Sequence, residues 1–175
     1  MRCKNCKQIF EPKHFNQKYC FDSECVKVWV EKAKEKNWKK LKKRMKAELE
    51  TTQSLMKKCQ MYCNRFVRLR DKNKPCISCG GDLGESFDAG HYFSSGGHKS
   101  TTFDLNNIFG QCKRCNRFLH GNLIGYQQGI AERIGTERLF ELHKKAHEPH
   151  KYSRDELREL IEYFKAEIKK IEKKQ

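Results

Sequence analysis

Eight of the ten cysteines in this chain stand in close pairs: Cys3-x2-Cys6, Cys20-x4-Cys25, Cys76-x2-Cys79 and Cys112-x2-Cys115. A pair at that spacing brings two thiolates to one point, and two pairs on separate turns supply the four soft ligands of a tetrahedral zinc site. Each set therefore predicts one structural zinc ion, held by Cys3, Cys6, Cys20 and Cys25 in the first and by Cys76, Cys79, Cys112 and Cys115 in the second. The first set spans so short a segment that residues 1–25 are expected to fold, as a zinc knuckle, only with their metal. The second encloses thirty-two residues between its pairs. That is too many for a bare ribbon loop, so its zinc is expected to pin the base of an inserted structure. Cys59 and Cys63 fall at i and i+4 on a stripe with Met56, Phe66 and Leu69, and read as buried thiols.

Composition narrows the setting. There is no apolar run near the roughly 18 residues of a membrane span, and Met1 to Cys6 is too polar for a signal peptide. In a reducing cytosol, ten cysteines point to metal rather than disulfides. The expectation is a soluble cytoplasmic protein with no membrane and no small-molecule substrate. With 38 Lys and Arg against 22 Asp and Glu, a net charge of +16 points to a polyanionic partner, most simply nucleic acid.

Four zones follow: the knuckle at 1–25, a long basic helical arm at 26–72 without Pro or Gly, a glycine-bearing segment at 73–122, and C-terminal helices at 123–175. The arm opens beside Ser23, read as its N-cap. Val26, Val30, Trp38, Leu41, Met45 and Leu49 keep helical spacing, Glu50-Thr51-Thr52 interrupts it, and a second stripe runs from Leu55 to Leu69. Residues 26–70 carry fifteen basic and four acidic side chains. Lys39, Lys40, Lys42, Lys43, Arg44 and Lys46 are the expected phosphate contacts. Further on, helices are expected at about 123–134 and 137–147. Ser153 with Glu156 forms a capping box that opens a last helix bearing Leu157, Leu160, Ile161, Phe164, Ile168 and Ile171 on one face.

The insert between the second cysteine pairs holds the strand-like run Ser86 to Phe93, a loop from Ser94 to Gly97, then Phe103 to Phe109, and finally Asn116 and His120 around the last C-x-x-C. A strand histidine, an Asn five residues before C-x-x-C and a polar residue directly after it resemble the HNH, or ββα-metal, nucleases. The resemblance covers residues 76–122 and implies a mainly α fold around a small zinc-stabilised ββα-metal core, in which two strands and a helix clamp one divalent ion. It makes His91 the general base, Asn107 the residue that orients the loop and the histidine, and Asn116 the final ligand, as in the endonuclease VII group. Gly90 stands where the family commonly has a metal ligand. Asp88, two residues back on the same strand face, is the candidate replacement. His120 ligates either instead of Asn116 or beside it, and His98 is either substrate-facing or solvent-exposed. Lys113, Arg114 and Arg117 are expected at the DNA, and Mg²⁺ or Mn²⁺ as the catalytic ion.

A second resemblance runs nearly the full length. The N-terminal cysteines, the basic stretch, Ala89-Gly-His-Tyr92, Gln111-Cys-Lys-Arg-Cys-Asn-Arg-Phe-Leu-x-Gly-Asn122 and the Lys151-Tyr-Ser-x-x-Glu-Leu157 helix look like the NinG (Rap) recombination proteins of lambdoid phages. That family implies a structure-specific endonuclease that cuts branched DNA, such as Holliday junctions and D-loops, in the bacterial host cytoplasm. Paired cuts on a nearly twofold substrate favour a homodimer, meeting along Val26 to Arg70. The alternative, motivated by Gly90, is a non-catalytic zinc-containing DNA-binding recombination protein with a degenerate HNH domain.

Overall fold

The computed structural model describes residues 1–173. They divide into two compact units, one of residues 1–50 and one from Thr51 onward. In the first, an isolated antiparallel bridge between Arg2 and Ile9 closes the turn that carries Cys3 and Cys6. The Cys3 N–H donates to the Gln8 carbonyl at 2.9 Å and the Lys7 N–H to the Cys3 carbonyl at 3.1 Å. Helix α1 then runs over Ser23–Glu48. Its cap is Asp22 rather than Ser23: the carboxylate accepts from the N–H groups of Glu24 and Cys25 at 3.1 and 3.4 Å. An ionised acceptor one residue earlier satisfies two open donors and sits favourably at the positive helix end. The large apolar side chains along α1 stay in water; Trp38 is 60% and Met45 50% exposed.

The second unit begins where the sequence predicts the interruption. The Thr51 hydroxyl caps α2, Thr52–Asp71, by accepting from the Ser54 N–H. Strands β1, Asp88–His91, and β2, Ile108–Gln111, pair antiparallel with Asp88 opposite Gln111 and His91 opposite Ile108. Three helices follow: α3, Leu123–Ile134; α4, Thr136–Ala146; and α5, Arg154–Glu172, opened by the Ser153–Glu156 capping box. The main core lies between α2 and α5, where Leu55, Cys59, Cys63, Phe66 and Val67 meet Leu157, Ile161, Phe164 and Ile168. Cys59 and Cys63 are buried thiols, both pushed up to about 12 by burial. The stretch read from the sequence as one arm is thus shared between the units. The stripe on α2 is covered by α5, and only the stripe on α1 is left open.

Asp71, at the last turn of α2, has no exposed surface. An isolated carboxylate could not stay ionised there, but this one is surrounded by donors. Arg70 grips it through Nε and Nη2 at 3.0 and 2.7 Å, Lys74 approaches at 3.1 Å, and the Gly110 N–H of β2 donates at 2.9 Å. Burial pushes its pKa up, but Arg70 and these donors outweigh it and hold the carboxyl below its ordinary value. The same guanidinium donates to the Leu105 and Ile108 carbonyls and lies 4.9 Å from the Phe109 ring centroid. One ion pair therefore fastens β2 to the end of α2.

On its other side the hairpin and the Cys76 turn meet α3. A Cβ on Gly125 would stand 2.0 Å from the Ser78 carbonyl oxygen, and one on Gly129 1.9 Å from that of Ile77. Only glycine admits the helix so close to that backbone.

Replacing Asp71 by Asn should cost about 3–5 kcal/mol, the usual effect of breaking a buried ion pair from one side. Because folding depresses this carboxyl's pKa, its contribution is complete above about pH 4, the unfolded value, and is lost as pH falls below it. Denaturant titrations of parent and Asp71→Asn should therefore differ by a constant amount near neutrality and converge in acid.

Candidate functional site

The two cysteine sets assemble as their spacing predicts. In each, one sulfur from every cysteine lies within 4.8 Å of all the others. Four sulfurs bound at about 2.3 Å around a tetrahedral zinc are about 3.8 Å apart, and the Cys6–Cys20 and Cys79–Cys112 sulfur separations are 3.7 and 4.0 Å. Backbone N–H groups already point at the sulfurs: Cys20 at Cys3, at 3.3 Å, and Cys112 at Cys76, at 3.3 Å. For Cys76 burial raises the pKa, but donors from Cys112, Cys79 and Ser78 prevail and hold it at about 7. Cys79 and Cys115 of the same set are shifted the other way, Cys115 up to about 12 by burial. One thiol poised near neutrality among four converging sulfurs fits zinc chemistry, and each set could hold one zinc ion. Among the described residues these two are the groups of three or more His, Cys, Asp or Glu side chains that converge in this way.

The second cluster ties the Cys76 turn to the five-residue π-helical turn Arg114–Phe118, and the hairpin stands on this base. On β1, His91 lies at the edge of a hollow of about 790 Å³ that it shares with Tyr92, His98, Asn116, His120 and Gln127. Its Nε2 is 3.1 Å from the Thr102 carbonyl oxygen. A carbonyl only accepts, so the neutral ring carries its proton on Nε2 and keeps a lone pair on Nδ1. Burial lowers the His91 pKa, with the Thr102 and Ala89 carbonyls pulling the other way.

Asn107 is wholly buried just before β2. Its Nδ2 donates to the Phe93 and Thr101 carbonyls at 3.0 and 2.9 Å, and its Oδ1 accepts from the Phe93 N–H at 2.8 Å. It holds both ends of the loop that supplies Thr102 to His91. Tyr126 of α3, which the sequence pattern does not distinguish from a core aromatic, adds a second tie. Its buried hydroxyl donates to the Gly90 carbonyl at 2.8 Å and accepts from the Phe109 N–H at 3.1 Å.

The expected oxygen ligands lie side by side but are engaged. Arg117 binds both Asp88 oxygens, at 2.8 and 3.0 Å, and Asn116 Nδ2 donates to Asp88 at 3.0 Å. Arg117, then Asn116 and Lys113, hold the Asp88 carboxyl below its ordinary value against burial. A carboxylate beside an amide is a donor set of the hard kind that Mg²⁺ or Mn²⁺ takes; here the carboxylate is paired with the Arg117 guanidinium. His120 is exposed in a left-handed turn (φ 48°) after the π-helical turn. It shares the hollow with Asn116 but is not drawn into the Asp88 group.

Gly90 has no side chain to offer a metal, and a larger residue there would require the Gln111 side chain to move. A Cβ there would lie 2.2 Å from Gln111 Oε1. Gln111 is buried, its Nε2 donating to Ser78 Oγ and the Gly121 carbonyl, while Oε1 has no hydrogen-bond partner. Lys113, Arg114 and Arg117 are exposed around this site in the second unit. Lys39, Lys40, Lys42, Lys43, Arg44 and Lys46 are exposed on α1 in the first. No helix among the described residues is long and apolar enough to cross a membrane.

Elemental analysis of the purified chain should find two zinc ions per molecule. Cys3→Ser should leave one, with α2 to α5 intact by circular dichroism, whereas Cys76→Ser should also unfold the hairpin.

Comparison with known proteins places the chain. The family described as Bacteriophage Lambda NinG protein matches residues 1–174. Protein ninG of Escherichia phage 933W is 32% identical over 188 residues, covering 97% of this chain and 92% of that relative. The proteins of the same name from Salmonella phage P22 and Escherichia phage lambda are each 32% identical over 190 residues. They cover 97% of this chain and 93% and 92% of their own lengths. No solved structure matches the chain.

Proposed function

This chain belongs to the NinG family of lambdoid phages, and we propose that it is a metal-dependent, structure-specific DNA endonuclease of the HNH type. Its substrates on this reading are branched recombination intermediates such as Holliday junctions and D-loops. The observation that carries the proposal is the arrangement around His91: a strand imidazole with Nε2 on the Thr102 carbonyl, a loop braced by buried Asn107, and Asn116 and His120 across the same hollow.

Hydrolysis of a phosphodiester needs a base for the attacking water and positive charge at the phosphate. The lowered pKa keeps His91 neutral at physiological pH, so Nδ1 accepts a proton from water while Thr102 fixes the ring. Lys113 and Arg114 bring positive charge to the phosphates on either side of the cut. Asp88 and Asn116 would hold the divalent ion, with His120 as a further donor, and Arg117 released from Asp88 would turn to phosphate. The bound ion would supply charge to the scissile phosphate and the departing 3′ oxygen. The basic face of α1 contributes affinity that ignores base sequence and falls with salt. A homodimer would deliver one His91 to each of two opposed strands, with Trp38, Leu41 and Met45 of α1 as the apolar contact; light scattering on the junction-bound protein tests it.

The second reading, a DNA-binding recombination protein without cleavage, is favoured by Gly90 and by Arg117 holding Asp88. A labelled four-way junction in Mg²⁺ or Mn²⁺ separates the two. The proposed enzyme nicks it, and His91→Ala slows cutting by roughly 10²–10⁴-fold with junction affinity near that of the parent. Since His91 titrates below its usual value of about 6.5, the rate should hold across neutral pH and fall only as the solution is acidified past that point. Binding without cutting in either metal would establish the second reading.

A further inference from the structure

Outside the His91 hollow, the first unit carries a pocket with a different character. It opens between the knuckle and α1, has a volume of about 640 Å³, and is walled by Tyr19, Phe21, Val26, Trp29 and Ala33. Lys18, Lys32 and Lys36 line it as well, and no lining residue is acidic. Trp29, Lys32, Ala33 and Lys36 recur at intervals of three and four on α1 and so share one face. The aromatic surfaces are not covered: Trp29 is 54% and Phe21 62% exposed. Phe15, between the lining residues His14 and Asn16, is 91% exposed. The ammonium groups already stand over rings, Lys32 at 5.7 Å from the Tyr19 centroid and Lys13 at 5.2 Å from that of Phe21.

Flat apolar rings in a pocket lined by lysines and by no acidic residue match a ligand with a flat apolar body and a negative charge at its edge. A base and its phosphate have that form, and unpaired nucleotides are bound in this way, by stacking on aromatic faces within a cationic groove. A paired base has its faces buried in the duplex and cannot enter. We propose that this pocket takes an unpaired nucleotide, its base against Trp29 and the neighbouring rings and its phosphates on Lys18, Lys32 and Lys36. The assignment rests on the DNA-binding part of the proposed function and not on cleavage. It would direct the chain to points where strands part, independently of the hollow at His91.

The chain has two tryptophans, so Trp38→Phe leaves Trp29 as the sole indole emitter. In a His91→Ala background, which spares the nucleic acid without a chelator that would strip zinc, short single-stranded oligothymidylate should quench Trp29. A fully paired duplex should not. By anisotropy of the labelled oligonucleotide, Trp29→Ala should weaken binding roughly 5- to 150-fold, the range for losing one stacked base, and Trp29→Phe should retain most of it. Lys36→Gln, a surface change that leaves the knuckle fold alone, should flatten the salt slope by roughly 0.7. Zinc content should be unchanged in each variant. Equal quenching by paired duplex, unaltered affinity in Trp29→Ala and Lys36→Gln, or quenching only by an acidic aromatic peptide would overturn the assignment. A chain that fails these tests yet nicks a junction keeps its proposed function and loses only the pocket.

Discussion

A carboxylate with no exposed surface dictates what must surround it. Asp71 stays ionised because Arg70, Lys74 and the Gly110 N–H all reach it, and each of those contacts constrains a different piece of chain. Arg70 also takes the Leu105 and Ile108 carbonyls, which fixes the approach to β2, and Gly110 fixes its middle. Two-stranded hairpins are marginal in water, so this one needs outside support. The ion pair gives it from α2, Tyr126 from α3 and the second cysteine cluster from beneath. The position of His91 follows from that of β2, through strand pairing and through Asn107 immediately before it.

The core explains why the molecule leans on such polar fasteners. Hydrophobic residues make up 37% of the sequence, and the largest cluster is used to join α2 to α5. The first unit has little apolar interior beyond the residues around Cys3 and Cys25. For such a segment, metal binding and folding are one free energy. In the second unit, by contrast, the cluster joins structure that other contacts also support, and Gly125 and Gly129 let α3 press against the Cys76 turn.

Features written as local patterns were legible. Cysteine spacing gave both clusters, S-x-x-E gave the start of α5, and the i, i+4 thiols on an apolar stripe gave their burial. β1 lies inside the run Ser86 to Phe93, whereas β2, Ile108–Gln111, starts in the run Phe103 to Phe109 and continues two residues past it. What escaped depends on partners distant in sequence. Asp71 at the end of a basic helix carries no local mark of burial, and its partner on β2, the Gly110 N–H, lies 39 residues away. Ser23 was a plausible cap, but Asp22 wins because its carboxylate reaches two N–H groups. Asp88 could be placed on the Gly90 face by strand alternation. Its grip by Arg117 depends on where the π-helical turn sets that side chain, which spacing alone does not reveal. Gln111 opens the Gln111 to Asn122 motif, but nothing in that motif tells that its side chain fills the volume a residue larger than Gly90 would need.

The Tyr126 hydroxyl has a consequence for the timing of assembly. The carbonyl of Gly90 and the N–H of Phe109 that it joins are synthesised well before it, and the α5 face that covers α2 comes later still. On the ribosome, β1 and β2 therefore emerge before the tyrosine that locks them and before the helix that buries the other side of α2. A nascent chain carries His91 on an unlocked hairpin until Tyr126 has emerged. The hollow beside it acquires a defined shape only once α3, which supplies Leu123, Ile124 and Gln127 to its wall, has docked.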